Sequence, residues 1–275
     1  MTLSTIRNNP AKQKKVKTKK QKAIAATCAV AFWLLVWHVV SLCVGSELVL
    51  VSPVKVVQTL FTVIFDPDFL KTVWYSAARI LGGFFTALTL GTVLGWVASR
   101  FWVVETLLRP ITAVIKATPV ASFIILVLLW FSGKNLSVII SMLMVFPVIY
   151  MNVLEGIRSA DEELLEMAQV FRLSVSKKLL YIYLPAVAPF FVSACSVSLG
   201  LCWKSGIAAE VIGTPDGSIG AVFYQAKIFL QTSELLAWTV VVVAVSVAFE
   251  KLFMFLLRLV LKKLKMEDVL NGKRA

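Results

Sequence analysis

The chain has 275 residues, 59% of them apolar and 16% charged, with a mean hydropathy of +0.86. Soluble domains run at about 45–50% apolar and about 25% charged, so that class is excluded, together with disordered, coiled-coil, collagen-like and disulfide-stapled secreted chains. A net charge of +13 would point to nucleic acid in a soluble protein, but Lys12, Lys14, Lys15, Lys17, Lys19, Lys20 and Lys22 crowd directly before an uncharged run, which makes them a topology signal and lipid-facing anchor with no nucleic-acid role.

Residues 23–44 carry no charge apart from His38. The run suffices to span a bilayer, and it is too long and lacks the small-residue site of a cleaved leader. Residues 45–70 hold two turn signals, Ser52-Pro53 and Asp66-Pro67, and are expected on the outer side. Further spans are expected at about 72–99, 107–131 and 136–154. A polar segment, 155–184, interrupts the pattern before a fifth span at about 186–207, a glycine-containing outer loop at 210–233 and a sixth span at about 235–257. The expected fold is therefore all-α, a polytopic membrane protein with about six transmembrane helices. Its organisation is a basic cytoplasmic tail (1–22), a transmembrane domain (23–258) with a cytoplasmic loop (155–185), and a second basic tail (259–275). With both termini inside, most of the 28 Lys and Arg fall on the inner side, as the positive-inside rule requires.

Two spans carry a small residue at every fourth position: Gly83, Ala87, Gly91, Gly95 and Ser99 in the second, and Ala194, Ser198, Cys202 and Gly206 in the fifth. Such ladders let backbones approach where lipid supplies no hydrophobic drive. The alternative is a pore-lining stripe. Cys28, Cys43, Cys195 and Cys202 lie in apolar runs without a C-x-x-C, so neither a disulfide framework nor a metal site is expected. One histidine rules out H-E-x-x-H, and no G-x-S-x-G or P-loop pattern occurs. No catalytic residues are expected, and uphill transport would draw its energy from a partner subunit or an ion gradient. The second to fourth spans hold no acidic residue, which argues against an ion-coupled carrier.

The polar loop opens with Ser159-Ala-Asp-Glu162, an S-x-x-E capping pattern with acidic residues in the first turn of a helix. Leu164, Ala168 and Phe171 recur at helical spacing, Lys177 and Lys178 follow, and Tyr181-Ile182-Tyr183-Leu184 leads into Pro185, which can start the next helix. The loop reads as a solvated segment on the membrane surface or as a docking platform for a cytoplasmic partner.

Glu166-Met167-Ala168, followed by Ile182, Leu184 and Pro185, resembles the EAA loop of binding-protein-dependent ABC importer permeases, E-A-A, three residues, G, nine residues, I-x-L-P. The spacing from Glu166 to Pro185 matches without a gap. Met167 replaces the first alanine of that pattern and Arg172 its glycine, which in the family permits a tight turn. Ser52-Pro53, Ser76 with Arg79, Gly82-Gly83-Phe84, Arg109-Pro110, Pro119 with Leu129-Trp130-Phe131, and Ala208-Ala209-Glu210 with Ile212-Gly213 resemble the branch for nitrate, alkanesulfonates, taurine, bicarbonate and pyrimidine precursors.

The resemblance implies a type I importer permease, multi-pass in the bacterial inner membrane, paired with a second permease subunit expected to be identical. Two cytoplasmic ABC ATPase subunits would bind ATP, this chain holding no cofactor itself, and an extracytoplasmic binding protein would deliver a small polar or anionic solute. The coupling residues would be Glu166, Met167, Ala168, Phe171, Arg172, Ile182, Leu184 and Pro185, with a groove on the ATPase receiving residues 170–178. Lys204 lies about 27 Å along the fifth span at about 1.5 Å per residue from residue 186. It either snorkels outward or pairs with Glu210, or the two line the substrate path. The rival readings are a stand-alone channel or ion-coupled carrier, and a structural protein that only recruits a partner.

Overall fold

The computed structural model describes residues 19–264, so most of the lysine-rich N-terminal tail and Lys265, Lys273 and Arg274 of the C-terminal tail lie outside the described residues. Two compact units divide at Lys55. In the first, α1 (Lys19–Val44) opens on Lys19, Lys20 and Lys22 and is predominantly apolar beyond them. Beyond it Gly45 takes φ +64°, and the Ser41 hydroxyl donates to the Leu50 carbonyl at 3.1 Å, closing the turn against the helix.

The second unit begins within α2 (Pro53–Ile64) and continues through α3 (Phe69–Arg100), α4 (Trp102–Ala117), α5 (Val120–Leu128), α6 (Gly133–Arg158), α7 (Glu162–Val170), α8 (Val175–Lys178), α9 (Leu184–Gly213), α10 (Ile219–Ile228) and α11 (Thr232–Lys263). Among the described residues, five helices are long and apolar enough to cross a membrane, or six if α4 and α5 count as one broken span. Two expectations need correction here. The third span is not one helix: α4 and α5 meet at 106°. Pro119 has no N–H to continue the ladder and forces Thr118 into extended backbone (φ −82°, ψ 132°). The stretches expected as outer loops also each hold a helix, α2 and α10. α2 presents Val56 and Val63 inward from a strongly one-sided apolar pattern.

The core is three helices deep, with α6 packed between α3 and α9; 61% of its most apolar window is buried, against 6% for α11. The small-residue ladders explain the closeness of that packing. A Cβ on Gly95 would stand 3.0 Å from the Tyr150 carbonyl and from Val153 Cβ, one on Gly91 3.0 Å from Ile149, and one on Gly83 would strike the Val138 carbonyl. The α9 ladder faces the same seam: Gly206 lies against Ile80 and Ser141, and Ser141 Oγ donates to the Cys202 carbonyl at 3.2 Å. Ile80, Phe84, Ile149, Leu199 and Trp203 fill the spaces between.

The loop between α6 and α9 has a defined backbone. Its helix cap is Asp161, whose carboxylate accepts from the Glu163 amide at 2.9 Å. Ser159, expected as the cap, instead donates to the Gly156 carbonyl at 2.9 Å, because α7 starts at Glu162 and the cap sits one residue before. At the other end of α7 the Leu173 amide bonds the Ala168 carbonyl at 2.9 Å and the Arg172 amide the Gln169 carbonyl at 3.0 Å. These paired bonds satisfy the helix's last carbonyls only when the intervening residue is left-handed, and Arg172 takes φ +50°. The chain thus keeps a glycine turn with an arginine in it. Beyond α8, residues Leu179–Tyr183 form a π-helical turn. Pro185 cannot donate to the Tyr181 carbonyl and its ring would clash there, and the wider turn relieves that conflict.

A left-handed residue other than glycine costs about 1–2 kcal/mol, and glycine returns about 0.5–1 kcal/mol of that in chain entropy. Arg172→Gly is therefore expected to stabilise the loop by about 0.5–1 kcal/mol, slowing hydrogen exchange at the Leu173 amide two- to fivefold at about 1.4 kcal/mol per tenfold. Faster exchange at Leu173 in the variant would contradict this account of the turn.

Candidate functional site

The sequence-predicted loop residues divide into an anchored set and an outward set. Ala168 is fully enclosed and Ile182 is 6% exposed; with Ala160 they form a small core against Leu165, Leu173, Tyr183 and Ala186. Leu184 and Pro185 are half-buried at the start of α9, so the loop's base is continuous with a 30-residue helix. Glu166, Met167, Phe171 and Arg172 face outward.

The outward face carries the chemistry. Val170, Phe171 and Val175 are each more than 70% exposed and flank the turn between α7 and α8. Leu164 and Met167 extend this apolar patch along α7, each 43% exposed. Around it stand Asp161, Glu162, Glu163 and Glu166 on one side and Arg172 and Lys177 on the other, all exposed. The tip is polar at its rim and apolar at its centre, the anatomy of a protein contact surface. Its apolar residues project from a loop whose own core is already satisfied, so they are not needed for its folding. The expected helix face of Leu164, Ala168 and Phe171 is split by this arrangement: Ala168 points in, and Leu164 and Phe171 point out.

The loop is tied to the membrane core from α6 as well. Arg158, the last residue of α6, pairs with Glu105 of α4, and Arg109 lies 4.0 Å from the same carboxylate. Glu105 is only 14% exposed, whereas Arg109 is 82% and Arg158 50% exposed, so a shielded carboxylate meets two solvent-facing cations. Glu105 was not singled out by the sequence reading. Nothing in its spacing from Arg158, across 53 positions, announces the contact.

Lys204 and Glu210, considered together as substrate-path residues, separate in the structure. Lys204 is exposed on the α9 face it shares with Ser193 and Val197, and no ion pair among the described residues involves it. A glycine on this face, Gly200, has no heavy atom within 4 Å of where a Cβ would sit, so the surface beside Lys204 is open. Glu210 has no exposure at all. Its Oε2 accepts from Ser76 Oγ at 2.6 Å and from the Gly220 amide at 3.4 Å. Oε1 has no hydrogen-bond partner among the described residues. One turn along α3 from Ser76, Arg79 donates to Asn135 Oδ1 at 3.1 Å and to the Tyr75 hydroxyl at 3.0 Å. The guanidinium stacks over the Tyr75 ring at 4.8 Å. Ser76 and Glu210 each belong to a family-like motif, but their pairing across 134 positions is not legible in either.

Comparison with known proteins identifies the family. The family described as "Binding-protein-dependent transport system inner membrane component" matches residues 87–266, well over half of the chain. SsuC of Bacillus subtilis (strain 168), named for aliphatic sulfonates transport, is 29% identical over 216 residues, covering 78% of each chain. The taurine transport system permease protein TauC of Escherichia coli (strain K12) is 27% identical over 220 residues, 78% of this chain and 80% of that one. The nitrate import permease protein NrtB of Synechocystis is 26% identical over 214 residues, 74% and 76% of the two chains. With a core of long apolar helices, an exposed loop between α6 and α9, and these relatives, the chain belongs to the binding-protein-dependent transport inner membrane components: it is an ABC importer permease of the branch that holds the sulfonate, taurine, nitrate and bicarbonate permeases.

Proposed function

We propose that this permease forms half of an ATP-driven import path, paired with a second, identical subunit, and that its 155–185 loop is the contact through which a separate ABC ATPase dimer drives it. The observation that carries the reading is the exposed apolar tip of Val170, Phe171 and Val175, held on a turn with both cap bonds made and continuous with α9. A rigid tip transmits displacement as rigid-body motion, which a flexible loop would absorb. ATP binds to the partner, not to this chain. An extracytoplasmic binding protein delivers the solute at the end of α9 remote from the loop. Both termini and the loop face the cytoplasm, consistent with the clustering of Lys and Arg in the tails and the loop.

The solute is a small polar or anionic molecule. Lys204 supports the anionic form: it is an unpaired cation on an open helix face, about 30 Å from Leu184 at about 1.5 Å per residue. A cation in that position costs less near a membrane face than at the centre, and a path bordered by two copies would attract anions. A channel or ion-coupled carrier fits less well, because Glu210 of α9 is enclosed and Glu250 of α11 accepts from Ser196 Oγ at 3.1 Å.

Replacing Glu166 by Ala or Phe171 by Asp is expected to lower uptake at least tenfold while leaving membrane insertion and intrinsic ATP hydrolysis intact. Both side chains are exposed, and surface substitutions cost the fold within about 0.5 kcal/mol. Uptake at the wild-type rate in both variants would sink the coupling assignment. Lys204→Met is expected to express normally and to lower uptake of an anionic solute, tested with radiolabelled taurine and nitrate, by about tenfold. An unchanged rate for a solute that the wild type carries removes Lys204 from the path.

A further inference from the structure

Glu210 is a buried carboxylate that the coupling reading does not use, and its surroundings give it a specific task. α10 is only ten residues long, a length that is marginal for an isolated helix. Its first turn has four amides to satisfy, and all four find partners. The Ile219 amide donates to Ser76 Oγ at 2.9 Å, the Gly220 amide to Glu210 Oε2, and the Ala221 amide to Ser218 Oγ at 3.0 Å. The amide of Ser218, the N-cap itself, reaches the Pro215 carbonyl at 3.1 Å. Two of these acceptors come from other helices, Ser76 from α3 and Glu210 from α9. The Ser76 hydroxyl joins them, accepting from α10 and donating to Glu210.

The packing agrees with the hydrogen bonds. A Cβ on Gly220 would collide with Glu210 Cβ and with the backbone at Glu210 and Val211, so glycine is what lets α10 sit against α9 at this point. Ser76, Glu210, Ser218 and Ile219 have no exposure, and Ile219 packs with Val63, Ala237, Trp238 and Val241. The free amides of a helix N-terminus favour an oxygen acceptor there, and the Glu210 carboxyl supplies one. Enclosure keeps solvent from competing for those bonds. Glu210 also stands 26 positions from Leu184 in one uninterrupted helix, so it lies about 39 Å from the loop at about 1.5 Å per residue.

We propose that Glu210 is a positioning residue, a latch that joins the N-terminus of α10 to α3 and α9 so that α10 moves with α9 when the loop is displaced. The latch accounts for a carboxylate in a position that no solute reaches in this conformation, and it makes α10 the outer end of a lever whose inner end is the loop. The inference rests on the coupling reading for the lever and on the contacts above for the latch.

The test is hydrogen exchange on the full complex, purified with its own ATPase and held in lipid nanodiscs, with and without ATP and vanadate. Glu210→Gln keeps the shape and exchanges the carboxyl for an amide; Ser76→Ala removes the bridge. Without nucleotide, both variants are expected to raise exchange in residues 219–228 at least tenfold, with α3 and α6 changed less than twofold. With nucleotide, wild-type exchange changes in both the loop and α10, whereas the variants respond in the loop alone. Unchanged α10 exchange in both variants overturns the latch. An equal rise through α3, α6 and α9 overturns it too, since that is the signature of a packing residue. A wild-type loop that ignores nucleotide overturns the coupling reading and the lever with it, while the nucleotide-free comparison still decides the latch.

Discussion

Helices surrounded by lipid gain little from burying apolar side chains against one another, because the hydrocarbon outside is as apolar as the seam inside. What holds them together is close contact, and close contact requires backbones without obstructing side chains. In this permease that requirement falls on α3, α6 and α9. Gly83, Gly91 and Gly95 lie against α6 at distances that no Cβ would allow without displacement, and Gly206 does the same toward Ile80 and Ser141. The arrangement leaves α6 between its neighbours and leaves α9 packed on one side and open along the face of Ser193, Val197 and Lys204.

The other features build on that seam. α9 runs from Leu184 to Gly213 without a break, although Pro189 lies within it, and packing against α3 and α6 supports it for most of its length. A helix so held is a stiff connection between its ends. At one end is a loop whose turn after α7 is held by local cap bonds, with Val170, Phe171 and Val175 exposed. At the other end is a polar cluster in which α10 is bonded to α3 and α9 together. Among the described residues, three ionisable side chains within the helices have hydrogen-bond partners: Arg79 with Tyr75 and Asn135, Glu210 with Ser76, and Glu250 with Ser196. Lys204 is the exception among the charges singled out within the spans, which is why it bears on the solute.

Much of the architecture is legible in the sequence because long apolar runs are a strong signal and the ladders repeat every four residues. The second, fourth, fifth and sixth spans lie within α3, α6, α9 and α11, with ends moved by a few residues. The third failed as a single helix for a local reason, since Pro119 sits inside an apolar run whose hydropathy does not register the break. α2 and α10 were hidden among turn signals: each is short and bounded by proline, glycine or serine, and α10 is supported by groups from distant helices. In the loop, the spacing from Glu166 to Pro185 located the segment, and the structure sorts its residues into Ala168 and Ile182 inside and Glu166 and Phe171 outside. Arg172 departs from the glycine pattern and yet takes the left-handed conformation, because the cap bonds and the contact of Leu173 with Ala168 hold the turn. The cap at Asp161 and the clasp of Ser76 with Glu210 depend on backbone register and on long-range proximity, neither of which residue spacing records.

The central claim is that the Val170–Phe171–Val175 tip is a protein contact and not a lipid-facing surface. A photoreactive amino acid placed at position 175, 78% exposed, and illuminated in native membranes tests it directly. The account predicts one dominant adduct whose partner is a P-loop ATPase of the ABC class. Adducts confined to lipid, or to a second copy of this chain, would contradict it.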